Sequence, residues 1–207
     1  MNSNPLIRAV IWDMGGVLVR TEDMTPRDHL AQCYGMALKE LYTLVFDSEA
    51  AVKATRGELP ESAVWEYVAK RLNLGPNELA AFMKEFWAGD NIDAELYQFV
   101  KGLRTKFKTG LLSNAWSEAH AVLDSRFHML DVFDVLIFSA EVHLAKPDPR
   151  IYQLILRKLG VQPEEAIFVD DFQANIDAAI ALGIHGVHFE NSLQSRQAVL
   201  QILAEGN

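Results

Sequence analysis

Hydrophobic residues occur in this chain in short unbroken runs, several of them closed by a polar residue. Ala9-Val10-Ile11-Trp12 ends at Asp13, Thr109-Gly110-Leu111-Leu112 ends at Ser113, and Ala166-Ile167-Phe168-Val169 ends at Asp170-Asp171. Runs of this length read as strands buried on both faces of a sheet. After Asp93 they alternate with amphipathic stretches. That rhythm predicts strands over 109–113, 135–138, 166–169 and 186–189, with helices over 94–104, 117–125, 149–159, 173–182 and 192–204. Strand and helix in alternation make right-handed crossovers, so the fold class expected is α/β with a parallel sheet.

Between residues 26 and 87 the period changes to that of helices, with breaks at Gly35, at Gly57-Glu58-Leu59-Pro60 and at Gly75-Pro76. The clearest helix starts near Pro60, carries Val64, Tyr67, Val68 and Leu72 on one face, and stops before Gly75. Trp65, Phe82, Phe86 and Trp87 also fall at helical spacing and read as the insert's own core, as do Tyr34 and Tyr42. The organisation expected is a sheet core over 1–20 and 90–207, split by a helical cap over 21–89.

In an open α/β sheet the carboxyl ends of the strands line one crevice, so groups distant in sequence meet there. Asp13, Ser113 and Asp170-Asp171 would converge, joined by Lys146 of Lys146-Pro147-Asp148-Pro149. Three carboxylates, a hydroxyl and an ammonium suit a hard cation with oxygen ligands and a carboxylate nucleophile attacking a phosphoryl group.

Composition narrows the partners. Of 207 residues, 23% are charged with a net charge of −9 and no basic stripe, which argues against broad nucleic-acid binding. No segment approaches the roughly 20 apolar residues that span a bilayer. Arg8 and Asp13 interrupt the early apolar run, so no signal peptide is expected. Cys33 has no internal disulfide partner and reads as a small buried hydrophobe, which fits a reducing cytoplasm; a monomer or homodimer is expected. The six histidines are scattered and read as surface or packing residues.

Asp13-Met14-Gly15-Gly16-Val17-Leu18, Ser113-Asn114, Lys146-Pro147 and Asp170-Asp171, in this order, resemble the four motifs of the haloacid dehalogenase-like hydrolase superfamily, subfamily I with a small helical cap. The resemblance covers nearly the whole chain and implies a Rossmann-like core. It also implies a Mg²⁺-dependent phosphatase of a small phosphorylated metabolite, sugar phosphates included, with Asp13 forming an aspartyl-phosphate that water hydrolyses. Asp13, the Gly15 carbonyl and Asp171 would hold Mg²⁺, with Asp170 behind them or bound through water. Ser113, Asn114 and the backbone of Gly15-Gly16 would donate to phosphoryl oxygens, and Lys146 would lie between Asp13 and the phosphate. Asn175 is a candidate to orient the acids, and Asp148 reads as structural.

One position departs from the family. Most of its phosphatases carry a second aspartate two residues after the nucleophile, which protonates the leaving group; here that position is Gly15. Such acid–base help is worth about 10²- to 10⁴-fold. The expectation is slow turnover, a substrate with a good leaving group, or a substitute acid such as Glu22 or Asp23. A 2-haloacid dehalogenase and an impaired scaffold that binds a phosphorylated ligand or a partner stay open as alternatives. A signalling receiver domain is excluded by chain order, because receivers place the acidic pair first and the acceptor later.

Overall fold

The computed structural model describes residues 6–205. Strand β1 (Ala9–Trp12) leads through a tight loop into β2 (Val19–Thr21). Five helices follow: α1 (Thr25–Cys33), α2 (Leu38–Phe46), α3 (Glu49–Thr55), α4 (Glu61–Leu72) and α5 (Pro76–Phe86). Strand β3 (Asp90–Ile92) then returns antiparallel to β2, pairing Thr21 with Asp90. The remainder alternates: α6 (Ala94–Leu103), β4 (Lys108–Ser113), α7 (Ala119–Val122), β5 (Val135–Phe138), α8 (Ser139–Val142), α9 (Pro149–Leu159), β6 (Ala166–Asp170), α10 (Gln173–Ala181), β7 (His185–His188) and α11 (Ser192–Glu205).

The main sheet is wholly parallel in the order β5-β4-β1-β6-β7. Its centre, β1, is buried at all four positions because both faces are covered. Val10 and Trp12 point toward Leu96, Val100 and Val199, whereas Ala9 and Ile11 point toward Ile151, Ile155 and Ile176. Strand side chains alternate faces, so a strand sandwiched between two helical layers must be apolar throughout. The predicted strands and the helices after residue 93 therefore match the observed elements, with one exception. The stretch read as a helix over 117–125 is α-helical only at Ala119–Val122 and continues as a π-helical turn over Leu123–Phe127.

Helices α1 to α5 enclose a separate core of Leu41, Val45, Val64, Trp65, Phe82 and Phe86, into which Trp116 projects from the loop after β4. Two expectations fail here. On α4 the buried side chains are Val64, Trp65 and Val68, while Tyr67 is exposed. Trp65 donates its indole N–H to Glu61 at 3.0 Å and packs edge-on against Trp116, so aromatic packing turns Trp65 inward in place of Tyr67. Cys33 is exposed at the end of α1, beside His29. Among the described residues no helix is long and apolar enough to cross a membrane.

The base of the helical unit is held by Arg27, which is 4% exposed. Its guanidinium forms two hydrogen bonds of 2.8 Å to Asp90, one of 2.7 Å to Tyr42 and one of 2.9 Å to the Phe86 carbonyl. Removing one member of such a pair strands a buried charge, which costs about 3–5 kcal/mol. Arg27→Ala should lose stability on that scale in denaturant unfolding. Arg8→Ala, which breaks the exposed pair with Glu165, should lose less than about 1 kcal/mol. Equal losses would contradict this assignment.

Candidate active site

The register of β1 brings the site together. Trp12 pairs with Leu111 on one side and Val169 on the other, so the residues that follow all emerge at the same sheet edge. The Asp13 amide donates to the Val169 carbonyl at 2.9 Å, which fixes Asp13 beside the ends of β4 and β6. Lys146 arrives from the loop after α8. Its Nζ lies 2.8 Å from Asp13 Oδ1 and 2.6 Å from Asp170 Oδ2, with its side chain 1% exposed. Ser113 is buried at the end of β4.

The two acids at the end of β6 are used differently. Asp170 is fully enclosed and accepts hydrogen bonds from Lys146, from the Phe172 amide at 2.8 Å and from Asn175 Nδ2 at 3.0 and 3.1 Å. Its oxygens are taken. Asp171 Oδ1 is buried with no hydrogen-bond partner, and Asp13 Oδ1, although paired by charge with Lys146, accepts no well-aligned hydrogen bond. Oxygens from Asp13, Asp170 and Asp171 lie within 4.8 Å of one another.

Three carboxylates against one ammonium leave excess negative charge in a desolvated place. Burial pushes the Asp13 carboxyl up to about 7, against the pull of Lys146 and with the repulsion of Asp170 added. Burial raises Asp171 as well, followed by the charge of Asp170. Two buried carboxylate oxygens with lone pairs to spare, on groups that burial holds toward their neutral forms, fit a hard divalent cation. The loop agrees. Gly16 has φ +80°, and a Cβ there would come within 2.1 Å of Asp171 Oδ2, so only glycine leaves that carboxylate its place.

The family model of haloacid dehalogenase-like hydrolases matches residues 7–183. The chain belongs to this family. Sesquiterpene phosphatase astK of Aspergillus oryzae is 26% identical over 95% of this chain and 96% of its own length. A phosphorylated carbohydrates phosphatase of Thermotoga maritima is 30% identical over 94% of this chain and 91% of its own. In fold, the chain is similar to a haloacid dehalogenase family enzyme of Bacteroides thetaiotaomicron solved with magnesium and inorganic phosphate. The TM-score is 0.71 at 19% identity, over 88% of this chain and 93% of that one.

Against the haloacid dehalogenase-like pattern, two expected phosphate donors are otherwise engaged. Both polar atoms of the Asn114 side chain bond the backbone of Lys146: Oδ1 accepts from its amide at 2.8 Å and Nδ2 donates to its carbonyl at 2.9 Å. Asn114 is a clamp on the Lys146 backbone. The Gly16 amide donates to the Val19 carbonyl at 2.9 Å, closing the loop on itself. Asp23 accepts from the Thr25 amide at 2.9 Å and is held below its ordinary carboxyl range by hydrogen bonds from Thr25. It is a poor substitute acid.

Asn175 orients Asp170 as expected, and Asp148 accepts from the Arg150 amide at the start of α9. Sequence reading missed the supports behind them. The buried Tyr152 hydroxyl donates to the Asn175 carbonyl at 3.0 Å, and Ser139 Oγ bridges the Ala115 amide and carbonyl at 2.9 and 3.1 Å. His188 lies 3.0 Å from the Asp171 carbonyl through Nε2, which must carry the proton because a carbonyl only accepts. No local pattern marks these residues. Each was visible only as a polar residue near a strand or helix end.

Proposed function

We propose that this haloacid dehalogenase-like hydrolase is a Mg²⁺-dependent phosphatase of small phosphorylated metabolites, sugar phosphates foremost, working through an aspartyl-phosphate on Asp13. The observation that carries the reading is the buried Asp171 oxygen without a hydrogen-bond partner, within 4.8 Å of the Asp13 carboxylate that Lys146 pairs by charge. The names of the Aspergillus and Thermotoga relatives support it. Asp13, Asp171 and the Gly15 carbonyl would hold Mg²⁺, which supplies positive charge against the phosphoryl oxygens when bound. Asp170 is set apart for Lys146 and Asn175.

An Asp13 oxygen attacks phosphorus in line with the departing oxygen. Lys146 restrains the nucleophile and screens its repulsion from a dianionic substrate, and the Ser113 hydroxyl donates to a phosphoryl oxygen. Water then releases phosphate from Asp13. The helical unit over the sheet edge excludes bulk water and supplies substrate contacts.

Phosphate release across a panel of phosphorylated metabolites, with and without EDTA, tests the reading. Release that EDTA abolishes is expected, and halide release from a 2-haloacid in the presence of EDTA would reverse it. A second readout comes from linkage. Since the folded pKa of Asp13 lies above its unfolded value, the associated stability is complete below about pH 4 and is lost as pH rises through about 7. Mg²⁺ binds the ionised carboxylates and opposes that loss. At a fixed Mg²⁺ concentration about 100-fold above the Kd at about pH 8 the gain there is about 2.7 kcal/mol, and it should be smaller at about pH 5, where Kd is weaker, in thermal melts. Equal gains would count against this site as the metal site.

A further inference from the structure

We infer that the phosphate this enzyme takes is an activated one, an anomeric, enol, aryl or acyl phosphate, whose leaving oxygen departs without a proton from the protein. The inference rests on the phosphatase reading above and narrows its substrate class. Its starting point is the contrast between two adjacent glycines. Gly16 is required by its positive φ and by the Asp171 carboxylate that fills its Cβ position. Gly15 is required by neither: its φ lies outside the left-handed region, and a Cβ built there meets nothing within 4 Å. The backbone would accept an aspartate at 15, in the position where the family places its proton-transferring acid. The space around a Cβ does not require glycine there.

The neighbouring groups do not restore what Gly15 lacks. Asp170 is saturated by Lys146, Phe172 and Asn175. Lys146 is held between two carboxylates, and Asp171 carries one of the unbonded oxygens assigned to the cation. Asp23 is tied to Thr25. Glu22 is exposed, outside the buried cluster of Asp13, Lys146 and Asp170.

The steps balance without an enzyme acid. An Asp13 lone pair forms the new bond to phosphorus while the bond to the leaving oxygen breaks. That oxygen keeps the electron pair, departs as an anion and takes its proton from solvent. The barrier then rises with the basicity of the leaving group, so an alkoxide leaves slowly while an enolate, phenolate or carboxylate leaves fast. In the second step water attacks phosphorus, the bond to Asp13 breaks, the carboxylate is regenerated, and the water proton passes to solvent. The missing side chain would have served as base there too, so the aspartyl-phosphate outlives its formation from a good substrate.

The test measures kcat/KM with Mg²⁺ for a graded series of aryl phosphates and one primary alkyl phosphate, in the natural protein and in Gly15→Asp. A steep decline with leaving-group basicity is expected in the natural protein, with a burst of phenol release from the best substrates. Gly15→Asp should flatten the series, improving the alkyl ester relative to p-nitrophenyl phosphate by about 10²- to 10⁴-fold. A shallow series in the natural protein would overturn the inference by showing that Glu22 or another donor serves. So would a steep one that stays steep in Gly15→Asp of unchanged circular dichroism. Absence of any Mg²⁺-dependent p-nitrophenyl phosphate hydrolysis would instead sink the phosphatase reading.

Discussion

Asp13→Asn is expected to give a folded protein without measurable turnover, lower in kcat/KM by about 10⁴-fold or more. The amide is nearly isosteric with the carboxylate, and the backbone bond from residue 13 to the Val169 carbonyl does not involve the side chain. Lys146 keeps Asp170 at 2.6 Å, so it is not left unpaired. What disappears is the oxygen nucleophile. The substitution should also stabilise the metal-free protein at neutral and alkaline pH. Burial holds the Asp13 carboxyl up to about 7, so its ionised form is disfavoured by the fold above that pH, and asparagine carries no charge to desolvate. Inactivity together with a higher melting temperature in EDTA is a pairing that a merely structural aspartate would not produce. Retained turnover would place the nucleophile elsewhere.

The sheet could be read from the sequence because both its faces are covered, which forces uninterrupted apolar runs such as Ala9–Trp12 and makes the polar residue closing each run conspicuous. The same logic located Asp13, Ser113 and Asp170. It could not locate β2 and β3, whose Val19-Arg20-Thr21 and Asp90-Asn91-Ile92 are short and largely polar and pair across the whole helical insert. Nor could it say how polar side chains are spent. Asn114 and Gly16 stand where phosphate donors belong, yet each has a competing partner: Asn114 clamps a backbone 32 residues away, and Gly16 closes its own loop. Tyr152 supports Asn175 from 23 residues away and carries no motif at all. Periodicity reports which face a residue occupies, whereas the acceptor a donor finds is decided by tertiary structure.

The contrast between Asp170 and Asp171 follows the same division. Adjacent in sequence and alike in chemistry, they differ because strand alternation sends one inward, toward Lys146 and Asn175, and leaves the other with an unbonded oxygen at the edge. The enclosed acid fixes the ammonium, and the ammonium fixes the carboxylate of Asp13. Asn114 completes the arrangement by gripping Lys146 from its backbone side.

Lys146→Met tests that chain of positioning most severely. Methionine matches the length of the lysine stem but leaves Asp13 and Asp170 facing each other without a cation. Asp170 retains its bonds from the Phe172 amide and Asn175. Asp13 loses the chief influence that lowers its pKa and moves further up from about 7. Two effects then multiply. Loss of one preorganised charge costs about 10²- to 10³-fold in kcat. Protonation of the nucleophile removes more activity wherever the pH lies below the new pKa, so the acidic limb of the pH–rate profile should shift to higher pH. Stability should fall most at alkaline pH, where Asp13 would be ionised without its cation, by about 3–5 kcal/mol, the scale for breaking a buried pair from one side, and the loss should shrink as the pH is lowered through the raised pKa of Asp13. Lys146→Arg should not rescue turnover. A side chain 1% exposed, with one nitrogen set 2.8 and 2.6 Å from two carboxylates, leaves no room for a planar fork. An acidic limb in Lys146→Met superimposable on that of the natural protein would show that the ammonium does not govern the ionisation of Asp13, and the nucleophile would then owe its charge state to the metal alone.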